Sequence, residues 1–300
     1  MKIGMIGLGA MGGGIAANLA RHVSPLFVFD PHAPAISRLE AAGTTACTSP
    51  AELAEQCDLI FLCVPFEPEV RSALFGKDGI SNGAKSGLTV VDLTTLYRDD
   101  ALEIAAQAKE TGIAYWDCPV SGTPARADDA TLTVMFGGTD EAFATAKPYL
   151  EHFGEFIVHC GPLGSGQAMK AINNIIYNVN IAALCEVLPL ATASGLDPEK
   201  VASVVTSGSA RSFASERFVA RMLDGSFEGD YPMAGAYKDI VNVRQLASEN
   251  DAMLPVVDAM VAAYDAAIEA GFGSEPKSAM LKVYEKALGV QFRKAGHEAD

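Results

Sequence analysis

Positive charge is what this chain has least of. Its 300 residues hold 22 Lys and Arg against 37 Asp and Glu, for a formal net charge of -15 at pH 7. A chain this acidic repels a phosphodiester backbone or an anionic membrane surface at long range, so neither nucleic acid nor membrane is expected as a partner. Any anionic ligand must be held by local donors. Cysteine is scarce and scattered: Cys47, Cys57, Cys63, Cys118, Cys160 and Cys185 contain no C-x-x-C pair and no neighbouring His cluster. That argues against a metal site and against a disulfide framework, and buried thiols in a reducing compartment are the simplest expectation. No basic segment followed by a long apolar stretch opens the chain, and no apolar run is expected to reach bilayer length, so cytoplasmic residence is expected. Low-complexity segments and fixed-period repeats are missing too. The 49% hydrophobic content suffices for two ordinary domains with a core each.

What is present begins at the N-terminus, where Gly7-Leu8-Gly9-Ala10-Met11-Gly12 follows the strand-like Lys2-Ile3-Gly4-Met5-Ile6. The first glycine suits a tight turn, the second lets the backbone approach a pyrophosphate, and the third lets a helix pack closely on the strand. The anion then faces the helix N-terminus. Met11, Ile15 and Leu19 continue at helical spacing, and Asp30 closes the next apolar run, Leu26-Phe27-Val28-Phe29. Together these predict a dinucleotide site, with Asp30 at the ribose; the alternative is a glycine-rich turn that only packs a helix on a sheet. A carboxylate there accepts from a ribose 2′-hydroxyl but repels a 2′-phosphate, and the following Pro31-His32-Ala33 has no arginine to compensate. NAD is therefore expected, NADP less so.

Up to about Cys160 short β-branched runs alternate with helical patterns: 59–64, 88–93, 113–117, 131–136 and 156–158. Such alternation predicts βαβ units around a mainly parallel sheet, whose ligands bind beyond the strand C-termini. Past Gly161-Pro162-Leu163-Gly164 the character changes to all-helical. A long helix is expected over about 165–194, with later helices starting near Asp197-Pro198, Ser212, Pro232, Pro255 and Pro276, and stops at Gly195, Gly225 and Gly271. The fold class is thus α/β: a Rossmann-type doubly wound domain over 1–162, then an all-α domain over 163–300 that also makes the oligomer interface. A homo-oligomer, dimer or tetramer, is expected.

Four further stretches carry chemistry. Val64-Pro65 and Asp92-Leu93-Thr94-Thr95 each end a strand on the glycine-turn side, where hydroxyls can bond a ribose or amide; alternatively Thr94 or Thr95 is an ordinary helix cap ahead of Asp99-Asp100. Asp117-Cys118-Pro119-Val120-Ser121-Gly122-Thr123-Pro124 offers backbone N–H groups, a hydroxyl and a flexible glycine in which a carboxylate could nest, or else a plain Pro-Gly turn. Gly164-Ser165-Gly166-Gln167-Ala168-Met169-Lys170 opens the long helix, and Gln167, Lys170 and Asn174 share one of its faces. A lysine near a helix N-terminus opposes the dipole, and burial there reduces its proton affinity, which suits proton exchange with an alcohol.

These motifs, in this order, resemble those of the β-hydroxyacid dehydrogenase family over nearly the whole chain. The carriers are Gly7 to Gly12 running on through Ala16-Ala17-Asn18-Leu19, Asp117 to Gly122, Gly164 to Lys170 followed by Asn173-Asn174, and Lys238-Asp239. The resemblance implies that Lys170 transfers the proton, that Asn174 and Ser121-Gly122-Thr123 orient the substrate, that Thr95 touches the cofactor, and that Lys238 lines the cofactor and substrate cleft. Spacing alone would equally allow Lys238 to be an exposed lysine paired with Asp239. Thr123-Pro124-Ala125-Arg126 and Gly273-Ser274-Glu275-Pro276-Lys277 depart from the family pattern, and both bear on the substrate.

The reaction expected is hydride transfer between a nicotinamide and the hydroxyl-bearing carbon of a short β-hydroxyacid or its semialdehyde. Arg126, with Arg211 and Lys277 as lesser candidates, is expected to grip a second oxyanion group, unless it pairs with Asp128 and Asp129. Two competing readings are a reductase of imines or larger carbonyls, disfavoured by the presence of Lys170, and a non-catalytic dinucleotide sensor, which needs neither Lys170 nor Asn174.

Overall fold

The computed structural model describes residues 1–40, 42–229, 232–294 and 296; the side chains of Glu40, Ala236, Lys238, Asp239, Val241, Asn242 and Gln245 also lie outside the description. The chain divides into two compact units, Met1–Lys170 and Ala171–Asp300.

The first unit runs β1 (Ile3–Ile6), α1 (Gly12–Ala20), β2 (Leu26–Phe29), α2 (Ala33–Glu40), β3 (Thr45–Ala46), α3 (Pro50–Gln56), β4 (Leu59–Leu62), α4 (Glu67–Phe75), α5 (Ile80–Gly83), β5 (Thr89–Asp92), α6 (Arg98–Glu110), β6 (Ala114–Asp117), β7 (Val120–Ser121), α7 (Pro124–Asp128), β8 (Leu132–Gly137), α8 (Asp140–Leu150), β9 (Gly154–Gly161) and the start of α9 (Ser165–Ala193). The strands order as β3-β2-β1-β4-β5-β6-β8-β7, with β9 on β8. From β3 through β6 every pairing is parallel. Beyond β6 the direction reverses: β8 is antiparallel to both β6 and β7, and β9 returns parallel to β8. The reversal follows from connection length, because the short helix α7 is no parallel crossover and only lets the chain fold back.

Side chains alternate across the sheet as a period of two requires. Ile3, Met5, Leu59, Phe61 and Val91 fill one core with α1, while Ile6, Ile60, Leu62 and Val90 fill the other with α3, α4 and α6. Burial on both faces is why these strands read as continuous apolar runs.

The second unit continues α9 and adds α10 (Pro198–Ser207), α11 (Phe213–Leu223), α12 (Met233–Glu249), α13 (Pro255–Ala267), a π-helical turn (Ile268–Phe272), a 3-10 turn (Lys277–Met280) and α14 (Leu281–Leu288). Among the described residues it has no strand, only a bridge between Pro232 and Pro276. Asp197 and Ser212, where the sequence predicted helix starts, cap α10 and α11 with their side chains. Gly195 and Gly225 take φ 80° and 64°, the left-handed turn that ends a helix.

One expectation is corrected here. The helix α9 contains an 18-residue window of mean hydropathy 1.5 and is long and apolar enough to cross a membrane. The sequence reading missed it because Asn173, Asn174, Asn178 and Asn180 interrupt the apolar run without lowering its average much. Its Ile175, Ile181, Cys185 and Leu188 are buried in the core of the second unit, against Phe218, Met260 and Tyr264.

Asp92 ends β5 fully buried, accepting from Thr94 N at 2.8 Å and Tyr115 Oη at 2.6 Å. Burial pushes its carboxyl up to about 6 from an ordinary 3.8, even though these hydrogen bonds pull the other way. A raised folded-state pKa means that the stabilising contribution is present at low pH and is lost as pH rises through about 6. Asp92→Asn should therefore be at least as stable as the parent at pH 8, and should lose a gain on the order of 2–3 kcal/mol that Asp92 contributes between pH 8 and pH 4. Thermal melts of both proteins across that range check it: an undiminished gain in the variant means that the burial cost lies elsewhere.

Candidate active site

The strand order reverses beside β1, which lies between β2 and β4, so the C-terminal ends of β1 and β4 open the crevice such sheets offer to a ligand. Gly7 turns there with φ 88°, and a Cβ on it would sit 2.1 Å from the carbonyl oxygen of Cys63. A Cβ on Gly12 would meet Gly7 O at 2.0 Å, whereas one on Gly9 would project into open space. Gly7 makes the tight turn and Gly12 the close packing that the sequence assigned them, and at Gly9 a side chain would fill open space beside the turn. No described side chain caps the N-terminus of α1 at Met11, which leaves its dipole available to an anion. Leu8 N donates to Asp30 Oδ2 at 2.7 Å and His32 N to Asp30 Oδ1 at 2.8 Å. Carboxylate oxygens accept more than one hydrogen bond, so both Asp30 oxygens keep accepting capacity beyond these backbone amides. These residues fit a dinucleotide.

At the ends of β4 and β5, Val64 N donates to Thr94 Oγ1 at 3.2 Å. Neither Thr94 nor Thr95 caps the next helix; α6 begins after Tyr97. Gln167 differs from expectation. It is fully buried, its Nε2 donating to Thr94 O at 2.7 Å and its Oε1 accepting from Leu96 N at 3.0 Å, so its amide pins the Thr94–Leu96 loop instead of facing the crevice beside Lys170. Thr95 lies half-buried in that loop.

Asp117 anchors the long helix. Fully buried at the end of β6, it accepts from Gly164 N at 2.6 Å and Gln167 N at 2.8 Å. This close approach requires glycine: a Cβ on Gly166 would lie 2.4 Å from Met135 O, and one on Gly137 2.3 Å from Asp117 Oδ1. Burial pushes the Asp117 carboxyl up to about 6 against the pull of these amides. Lys170, about one turn into the helix so anchored, donates from Nζ to Val120 O at 2.8 Å. Val120 and Ser121 form β7, paired with Val134 and Thr133, so the lysine is tied to the strand that carries Ser121.

The rest of the expected substrate segment is stiffer than a flexible loop. Gly122 takes φ 151°, and a Cβ there would press to 2.6 Å on Leu132. Thr123 caps α7, its Oγ1 accepting from Arg126 N. Arg126, the expected grip on a substrate oxyanion, bonds the Thr131 carbonyl and hydroxyl and pairs with Glu155 at 3.5 Å. In the second unit Asn174 follows Lys170 by one turn of α9, half-buried. Arg211 pairs with Glu216 at the surface, and Lys277 donates to Asn178 Oδ1 at 2.9 Å beneath the ring of Tyr177. Lys238 lies in α12, with its side chain outside the described residues. Burial raises the thiols of Cys63 and Cys118, the former to about 12, which removes them as nucleophiles.

Sequence reasoning missed two anchors. The structural use of Asp117 was signalled only by a carboxylate following a strand. Asn18, fully buried on α1, donates from Nδ2 to Ala127 O at 2.8 Å and Asp128 O at 3.1 Å, joining α7 to the cofactor helix. Its one signal was a polar residue on the buried face of an amphipathic helix.

Two family models cover the chain: the NAD binding domain of 6-phosphogluconate dehydrogenase over residues 2–161, and the NAD-binding domain of NADP-dependent 3-hydroxyisobutyrate dehydrogenase over 164–284. The chain is 33% identical over 291 residues to 2-(hydroxymethyl)glutarate dehydrogenase of Eubacterium barkeri, covering 97% of each. It is 35% identical to 2-hydroxy-3-oxopropionate reductase of Escherichia coli, over 80% of this chain and 82% of that protein. The crystal structure of a 3-hydroxyisobutyrate dehydrogenase from Salmonella typhimurium superposes with a TM-score of 0.84 at 30% identity, covering 94% of this chain and 99% of that one. Imine reductases share the fold at 18–20% identity. With the glycine crevice and its matching domains, the chain belongs to the β-hydroxyacid dehydrogenase family, oxidoreductases that pass hydride between a nicotinamide dinucleotide and the hydroxyl-bearing carbon of a short hydroxyacid.

Proposed function

We propose that this chain is an NAD-linked β-hydroxyacid dehydrogenase in which Lys170 moves the proton. The observation that supports it is the 2.8 Å bond from Lys170 Nζ to Val120 O, which holds the lysine nitrogen beside Ser121 on a helix anchored by Asp117. A bound nicotinamide supplies the hydride chemistry. In oxidation Lys170 takes the proton of the substrate hydroxyl; in reduction it returns one to the carbonyl oxygen. Ser121 and the backbone at Gly122 and Thr123 receive the carboxylate, and the Asn174 amide orients the hydroxyl, so that a single carbon faces the hydride. Thr95, Val64, Pro65 and Lys238 complete the cofactor side of this reading. A homo-oligomer, dimer or tetramer, accords with the exposed apolar side chains Ile172, Ile176, Val187 and Leu190 on α9. Cytoplasmic residence accords with six unpaired cysteines.

Lys170→Ala should lower kcat by about 10²- to 10⁴-fold. The Kd for the oxidised cofactor, measured by calorimetry, should stay nearly constant, because in this reading the pyrophosphate is held by Gly7 to Gly12 and not by the lysine. Retention of most of kcat, under conditions where chemistry limits turnover, would end the assignment.

NAD should be preferred to NADP in kcat/KM, since in this reading the Asp30 carboxylate, bonded to Leu8 N of the glycine turn, accepts from the ribose 2′-hydroxyl and repels a 2′-phosphate. Measuring both cofactors at saturating hydroxyacid decides it, and a clear NADP preference refutes the role given to Asp30.

Arg126→Ala should lower kcat/KM by the same small factor for a methyl-ended substrate and for one ending in a hydroxyl or carboxylate, because the guanidinium is held by Thr131 and Glu155. A loss confined to the charged substrate would return Arg126 to the substrate site.

A further inference from the structure

Leu8 is bonded from both sides. Its N–H donates to Asp30 Oδ2 at 2.7 Å, and its carbonyl accepts from Arg38 Nη2 at 3.2 Å. Arg38 stands well past Asp30 in sequence, on the last turn of α2. Ala35 and Leu39 on that helix are buried in the sheet core and so fix its roll. The side chain of Arg38, beside Leu39, is thereby brought back to the glycine turn. Pro31-His32-Ala33 lacks an arginine, but the fold delivers one from α2.

A guanidinium has five N–H donors, and the bond to Leu8 O is made by one nitrogen. The residue is exposed, and it shares Leu8 with Asp30, whose Oδ2 accepts from the N–H of that residue. Planar guanidinium recognises phosphate through paired donors.

We propose that Arg38 is a second determinant of cofactor choice, placed to pair with a 2′-phosphate on the adenosine ribose, so that the preference Asp30 sets against NADP is shallow. This rests on the reading that the ribose edge lies at Asp30. Asp30 accepts from a free 2′-hydroxyl and repels a 2′-phosphate, while Arg38 attracts the phosphate and adds little for the hydroxyl. Both charges act at the same residue of the loop, and the balance between them sets the ratio of the two affinities. Arg38 also tethers Leu8, but a tether serves both cofactors equally.

Calorimetric Kd values for the whole protein with NAD+, NADP+, AMP and adenosine 2′,5′-bisphosphate separate these roles. Arg38→Ala is expected to weaken NADP+ and the bisphosphate about tenfold, the scale of one charge-assisted hydrogen bond. NAD+ and AMP should change less than about twofold, since the charge gained acts on the 2′-phosphate alone. Arg38→Lys should recover part of the loss. A parallel weakening of all four ligands would leave Arg38 a tether only and overturn the proposal, as would unchanged binding of NADP+. In the unsubstituted protein, the affinity of the bisphosphate relative to AMP should fall with added salt, and a salt-independent ratio counts equally against it. Tighter binding of NADP+ than NAD+ by the unsubstituted protein would instead sink the Asp30 reading, and that result is distinct from the ratio of variant to parent that tests Arg38.

Discussion

The carboxylate of Asp117 is the constraint on which the rest of the catalytic region depends. It lies buried at the end of β6 and closes the N-terminus of α9 through the amides of Gly164 and Gln167. A helix start satisfied in this way has a defined position and roll, and both Lys170 and Gln167 inherit them. Gln167 then fixes the loop from Thr94 to Leu96, and Lys170 reaches the strand that carries Ser121. The anchor is possible only because Gly137 and Gly166 lack side chains, since a methyl group at either would meet the carboxylate or the Met135 carbonyl. One buried acid thus links the strand ends, the helix and the substrate segment.

The glycine turn is held by a different device. Leu8 is fully buried on its apolar side and bonded through its peptide groups to Asp30 and Arg38. These bonds fix its backbone next to the open space at Gly9. Asn18 extends the same logic by stitching α1 to α7, so that the helix presenting its N-terminus to a pyrophosphate also supports the segment after Ser121. The glycine-turn helix and the segment after Ser121 are thus joined on this side of the sheet.

Much of this was legible in the residues. Strands buried on both faces appear as unbroken apolar runs, so β1, β2, β4 and β5 could be read directly, and the capping residues Asp197 and Ser212 marked helix starts. The short β3 and β7 were not legible, because two-residue strands carry no periodicity. The antiparallel turn at β8 was also hidden, since direction depends on the connection and not on the run itself. Long-range hydrogen bonds were the least accessible of all. Gln167 looked like a crevice residue and is a core strut, and the bonds of Arg126 to Thr131 and Glu155 were not legible either.

The sequence by itself determined the α/β order, the glycine turn with its acidic partner, and the position of a lysine near the start of a long helix. Each of these depends on local spacing, which the chain carries whether folded or not. The tertiary structure alone decided which polar side chains are left facing the crevice. Burial makes every polar group find a partner, and the partners of Asp117, Asn18, Gln167 and Arg38 lie far away in the chain. No window of sequence contains both ends of such a bond, so only the assembled sheet and its helices separate the residues that hold the site from those that act in it.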